Sequence, residues 1–315
     1  MNNRKSFIVG IKSTTLSKKE KIFLMKYKPW GVILFNRNIK NIKQTFDLTK
    51  SIKNIFKDKN YPILIDQEGG RVNRLDKIIS FKNLTSEFFG KKFIKNEKEF
   101  KFYYKLFIDK TSYLLKSIGV NINTVPVLDL RIKGASNIIG DRSFSQNPKV
   151  VSKIGDYCIQ YFLENDIGTV IKHIPGHGLA KVDSHKFTPV VNKRFNYLLK
   201  HDFSTFKNKK SLFAMTAHVI YDKIDSENTA TQSKRIIKII RDKIGFKNLL
   251  ISDDLSMKSL KGNLKENTIK TFNAGCNIVL HCNSNIREME IIANNSPFVD
   301  KFIIKKTSQF YKILS

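Results

Sequence analysis

Short apolar runs rich in Ile, Val and Leu alternate along this chain with longer segments in which apolar and charged residues recur at helical spacing. The runs predict strands at residues 7–10, 31–35, 62–65, 120–123, 169–171, 211–216, 249–252 and 277–281. The segments between them predict helices at 18–27, 42–55, 97–115, 149–164, 233–244, 267–273 and 286–294, with a closing helix within 297–315. Near-continuous apolar strands joined by amphipathic helices belong to a parallel sheet buried on both faces. Eight such units predict an α/β fold of the (β/α)8, TIM-barrel type.

An open, doubly wound sheet is the competing architecture. No GxGxxG or GxxxxGK[ST] follows any of the strands, so the phosphate-binding loop usual in that fold is missing. No fixed-period repeat and no Pro-rich or Gly/Ser-rich linker divides the 315 residues, so residues 1–315 are expected to form one catalytic domain.

Composition changes this picture little. The formal net charge is +30, which by itself would suit a nucleic-acid partner. The basic residues are 47 lysines against ten arginines, and they travel with abundant Asn, Ile and Phe, all specified by A/T-rich codons. A nucleic-acid surface recruits Arg for bidentate contacts, so compositional bias is the preferred reading and no nucleic-acid partner is expected. The five-residue apolar run 7–11 is too short for a signal peptide, and no stretch approaches the roughly 20 apolar residues that span a bilayer. A soluble cytoplasmic protein without a membrane partner is expected. Cys158, Cys276 and Cys282 form no CxxC pair and read as buried or incidental thiols in a reducing compartment.

In a barrel of this type the site is built from loops after the strands, so polar residues at strand C-termini are the ones to weigh. After the third strand, IDQEGGRVNRL carries Asp66, Glu68, Arg71 and Arg74 around a Gly69-Gly70 turn. An ion pair from Asp66 to Arg71 or Arg74 that merely ties the loop explains this segment about as well as a binding role. After the fourth strand come VPVLDL, with Asp129 interrupting an apolar run, and GDRSF, with Asp141 and Arg142. The fifth strand enters VIKHIPGHGLAKVDSHKFTP, which gathers Lys172, His173, His177, Asp183 and His185. Half of the six histidines fall here, which favours shared work at one site. His173 and His177 have the i, i+4 spacing of a zinc helix, but Pro175 and Gly176 break that helix and no HExxH glutamate is present, so no metal or other cofactor is expected. Asp183 and His185, two apart, can form an acid/base dyad in which the carboxylate orients the imidazole. The sixth strand ends in TAH, placing His218 at the rim, and the seventh ends in SDDLSM. Side chains alternate along a strand, so one of Asp253 and Asp254 faces the pocket: Asp253 is expected inward, with Asp254 capping the next helix.

Taken together, IDQEGGRVNRL, GDRSF, KHIPGHG with VDSH, TAH and SDDLSM resemble family 3 glycoside hydrolases, in their single-domain bacterial β-N-acetylglucosaminidase branch. The matches run in order from about residue 60 to 257. The resemblance implies Asp253 as nucleophile and the Asp183–His185 pair as acid/base. It implies sugar contacts from Asp66, Arg74, Arg142, Lys172 and His173, and a β-linked GlcNAc saccharide, of the anhydro-muropeptide kind, as substrate. One departure is Leu179, where many members carry an acidic residue after GHG. Outside residues 60–257 nothing specific transfers, and the last strand is expected to contribute no site residue.

A retaining glycosidase needs a carboxylate to attack the anomeric carbon and a second group to protonate the leaving oxygen and then activate water. A histidine in that second role titrates near neutrality without heavy desolvation. Two other chemistries remain open: attack by the substrate's own acetamido group, and phosphorolysis, since an imidazole repels phosphate less than a carboxylate does. A basic binding protein on a barrel scaffold is the alternative from another class, with composition as its only support. The sequence says nothing of oligomeric state.

Overall fold

The computed structural model describes residues 3–184 and 186–314. Eight parallel strands close into a barrel: β1 (Lys5–Gly10), β2 (Pro29–Leu34), β3 (Ile63–Ile65), β4 (Ile122–Asn123), β5 (Gly168–Ile174), β6 (Phe213–Thr216), β7 (Leu249–Asp254) and β8 (Ile278–His281). Each pairs with its neighbours in sequence, and β1 closes the ring by pairing with both β2 and β8, through Phe7 opposite Val279 and Ile8 opposite Leu280. All eight strands fall where the apolar runs predict them.

The helices follow the helical-period segments: α1 (Lys18–Tyr27), α2 (Ile42–Phe56), α3 (Ser86–Lys95), α4 (Glu97–Ser117), α5 (Pro148–Glu164), α6 (Phe195–Lys200), α7 (Lys234–Ile239), α8 (Leu264–Ala274), α9 (Ile286–Asn295) and α10 (Lys301–Ile313). Polar N-caps satisfy the first backbone N–H groups: Ser17, Asn41, Asn96 and Asn263 each accept from the residue three further on. The cap at Asn263 starts α8 earlier than the predicted 267, because capping, not apolar spacing, sets where a helix begins. The predicted helix 233–244 is α7 continued by a π turn over Ile240–Ile244. Two helices, α3 and α6, are not foreseen by the apolar pattern. Neither is a three-stranded sheet of Val190–Val191, Ile220–Tyr221 and Asp225–Thr229, built from the segments that follow β5 and β6. Its strands are two to five residues long, too short to show a period.

The barrel interior is filled, with Ile8, Trp30, Ile33, Leu64, Val170, Phe213, Leu249 and Ile278 all buried in one cluster. Helix α10 plugs the N-terminal end: Phe310 packs edge-on against Phe213, and Trp30 donates its ring N–H to Thr307 at 2.9 Å. A second cluster lies between the strands and the ring of helices. With the floor sealed by aromatics, the C-terminal mouth of the barrel is the end left for polar chemistry.

Candidate active site

At that mouth lies a cavity of about 240 Å³, lined from seven of the eight strand ends: Ile33 on β2 and Phe35 just after it, Asp66, Arg71 and Arg74 after β3, Thr124 after β4, Lys172 and His173 on β5, Met215 on β6, Asp253 on β7, and Leu280 and Cys282 at β8. Ile138, Ile139 and Arg142 come from the loop before α5, and His177 and Ser184 from the loop after β5. The motifs separated along the chain therefore meet in one place. The expected sugar-binding set Asp66, Arg74, Arg142, Lys172 and His173 lines this cavity, and so does Asp253.

The base of this cavity is an alternating lattice of charge. Lys172, 3% exposed, reaches Glu68 at 2.7 Å and also pairs with Asp66. Asp66 also takes Arg74 at 3.0 Å and the Thr124 hydroxyl at 2.9 Å. Arg142 grips Glu68 with two parallel bonds of 2.8 Å, the bidentate geometry a guanidinium and a carboxylate favour. Burial alone would raise the Asp66 carboxyl, but Lys172, Arg74 and Arg142 outweigh it and hold the group far below the usual carboxylate range. Glu68 behaves likewise: its burial is overcome by Arg142 and Lys172. Both carboxylates stay ionised; Asp66, on the cavity, is an acceptor-only group where a polyhydroxylated ligand would need one, while Glu68 lies behind it. The ion pair weighed for Asp66 is thus present, to Arg74, and the same residues face the cavity. Arg71 pairs instead with Asp141 at 3.0 Å.

Asp129, a weak signal in the sequence, is buried and organises the imidazoles. Its Oδ2 lies 2.7 Å from His173 Nδ1, and its Oδ1 accepts the His177 backbone N–H at 2.7 Å. With Nδ1 engaged, the His173 nitrogen left for a ligand is Nε2. Burial raises Asp129, yet His173 and His177 pull it below the usual range. His177 is pushed down to about 4, first by burial and then by His173, so near neutrality it is an uncharged ring, whose Nε2 lies 3.0 Å from the Ser184 hydroxyl. Gly178 lets this loop press onto its neighbour: a Cβ there would stand 2.3 Å from the Leu130 carbonyl oxygen. Asp183 is half-buried; its carbonyl accepts the N–H groups of Lys186 and Phe187 at 3.0 and 2.9 Å, and among the described residues of the loop it is His177 and Ser184, not Asp183, that line the cavity. His185, the other half of the expected dyad, lies outside the described residues.

At the end of β7, Asp253 lines the cavity and Asp254 does not. Asp254 caps no helix, contrary to expectation: its Oδ1 accepts the N–H groups of Ser256 at 3.0 Å and Cys282 at 3.1 Å, tying the β7 loop to β8. The next helix begins only at Leu264, out of its reach along the chain. His218 follows the C-terminal end of β6, as expected, but does not line the cavity. It is buried, with Nδ1 2.7 Å from the Thr231 hydroxyl and Nε2 donating to the Asp254 carbonyl at 3.0 Å. The last strand does contribute lining, through Leu280 and Cys282, and the chain before residue 60 contributes Ile33 and Phe35. These apolar groups carry no motif; a pattern of one wall residue per strand end is their only trace in sequence. Cys282 is no incidental thiol by position, but burial and the neighbouring Asp254, Asp253 and Asp66 raise it well above its ordinary value and keep it uncharged.

The glycosyl hydrolase family 3 N-terminal domain matches residues 8–307. A β-hexosaminidase of Hydrogenovibrio crunogenus is 33% identical over 295 residues, covering 91% of this chain and 81% of that protein. One of Methylobacillus flagellatus is 31% identical over 275 residues, covering 84% and 76%. The crystal structure of NagZ from Neisseria gonorrhoeae in complex with N-trifluoroacetyl-D-glucosamine superposes with a TM-score of 0.86 at 28% identity, covering 99% of this chain and 90% of that one. Family match, relatives aligned over most of their length and shared barrel agree with the geometry of the mouth, and the chain belongs to glycosyl hydrolase family 3, among its β-hexosaminidases.

Proposed function

We propose that this chain, acting as one catalytic domain in the cytoplasm, removes terminal β-linked N-acetylglucosamine from cell-wall muropeptide fragments with retention of configuration. One observation carries the reading: Asp253 lines the same cavity as the cluster of Asp66, Arg74, Lys172 and His173, so a carboxylate stands beside groups suited to hold sugar hydroxyls. A cytoplasmic setting suits three cysteines that are all free thiols.

In the first half-reaction Asp253 attacks the anomeric carbon. The glycosidic C–O bond breaks, and His185, oriented by Asp183, gives its proton to the leaving oxygen. In the second, His185 takes a proton from water, the water oxygen attacks the anomeric carbon, and the ester to Asp253 breaks to release the sugar. Asp66, Arg74, Lys172 and His173 hold the ring. Arg142 acts partly through Glu68, since two of its donors are engaged there.

The test is hydrolysis of a chromogenic β-N-acetylglucosaminide by wild type, Asp253→Ala and His185→Ala, at low and high phosphate, with the anomer released followed by NMR. Turnover abolished by Asp253→Ala, strongly weakened by His185→Ala, and first release of the β-anomer support the reading. An inactive wild type, an unaffected Asp253→Ala or release of the α-anomer refutes it, and a sugar phosphate formed at high phosphate replaces hydrolysis with phosphorolysis.

A further inference from the structure

Beneath the loop that leaves β5 lies a buried carboxylate that the reaction above does not use. Asp202, which opens the 3-10 turn Asp202–Phe206 just after α6, is 2% exposed and packs directly on the backbone of Gly176: a Cβ at Gly176, whose φ is +145°, would stand 2.7 Å from the Cβ of Asp202. The backbone N–H of Leu179 is near enough to favour the charged form of the carboxyl group, while its Oδ2 finds no partner among the described residues. On the other side Tyr221, also buried, donates its hydroxyl to the Gly176 carbonyl and stacks edge-on against Phe203, the residue after Asp202. Tyr221 belongs to the small sheet and Asp202 to the 3-10 turn after α6, so two elements converge on one short stretch of backbone.

We propose that Asp202 and Tyr221 are positioning residues that latch the underside of residues 176–179 and so fix the root of the loop whose downstream half carries the Asp183–His185 pair in the sequence. The inference rests on the acid/base role assigned to that pair above. Neither residue lines the cavity, so each acts through the loop. A buried carboxyl with one unmatched oxygen is costly for a merely space-filling role, since an apolar side chain of the same volume would avoid the desolvation. Burial and the nearby Asp129 push the Asp202 carboxyl up to about 7. Accepting the Leu179 N–H requires only a lone pair, which the neutral acid keeps, so the latch does not depend on which form is present. An amide supplies the same acceptor.

The experiment compares kcat/KM for two substrates: a dinitrophenyl β-N-acetylglucosaminide, whose leaving group departs without a proton, and the GlcNAc disaccharide, whose leaving alcohol needs one. A displaced acid loop slows only the second. Asp202→Ala and Tyr221→Phe are expected to lower kcat/KM for the disaccharide about tenfold, leave the dinitrophenyl substrate within about twofold, and Asp202→Asn to restore the ratio, given that a positioned acid contributes on the order of 10²–10⁴. Equal losses on both substrates, or no loss on the disaccharide, overturn the latch. If Asp202→Ala does not fold, Tyr221→Phe and Asp202→Asn decide by the same ratio. An inactive wild type, by contrast, overturns the reading of the reaction and the latch with it.

Discussion

The Lys172 ammonium stands 2.7 Å from Glu68 Oε1, with both side chains 3% exposed. Lys172 lines the cavity, whereas Glu68 lies behind it and also takes the two bonds from Arg142. A buried pair of this kind is weak evidence of net stability, but removing one partner strands the other.

Glu68→Ala is therefore expected to lose about 3–5 kcal/mol of folding free energy, the range for breaking a buried pair. Asp66 remains to hold part of the Lys172 charge, which places the loss toward the lower end. Thermal unfolding measures this. A kcat/KM unchanged in the folded fraction would show that Glu68 does not set the position of Lys172 and Arg142.

Two buried groups, His177 and Asp202, contribute to the pH dependence of stability with opposite signs, His218 and His281 sharing the sign of His177. His177 has its folded value lowered from 6.5 to about 4, so its contribution is present above 6.5 and lost as pH falls toward 4, by about 3 kcal/mol. Asp202 has its folded value raised from 3.8 to about 7, so its contribution is present below 3.8 and lost as pH rises toward 7, by about 4 kcal/mol. Over the shared window the two slopes offset each other. Asp202→Asn removes one of them: its stability relative to wild type should be greater at pH 8 than at pH 5, and its own stability should decline from pH 6.5 to 4. Denaturant midpoints at four pH values test this, and parallel curves for the two proteins would be the contrary result.

Gly178→Ala places a Cβ 2.3 Å from the Leu130 carbonyl oxygen, a backbone atom that cannot rotate away. The loop must shift, and misplacing a catalytic group by about 1 Å costs on the order of a hundredfold in rate. The expected outcome is that loss in kcat with the barrel still folded by circular dichroism. Full activity would mean the loop position at Gly178 is irrelevant to the chemistry.

Phe310→Ala opens a void at the sealed floor, between Phe213 and the start of β5 at Gly168. A loss of about 3–5 kcal/mol is expected, with KM unchanged because the floor lies at the opposite end of the barrel from the cavity. A raised KM in the folded protein would contradict the separation of stability face from catalytic face.

The barrel was legible from the sequence because a strand buried on both faces must be apolar at every position, and a run such as LLIS or ILI shows that without reference to any neighbour. The acids and bases ending those runs were legible for the same reason: Asp66, Lys172 and Asp253 interrupt stretches where charge is costly. Strand alternation correctly separated Asp253, on the cavity, from Asp254, off it. What alternation could not say is what Asp254 does instead, because its partner, the Cys282 N–H, is 28 residues away, just past β8. Glu68 with Arg142, Asp129 with His173 and Asp202 with Leu179 are likewise pairs brought together across loops 74, 44 and 23 residues apart in sequence. Local periodicity reports which face of an element is buried. Only closure of the ring, which fixes the rotation of each strand end relative to all the others, decides which charges meet there and how each is held.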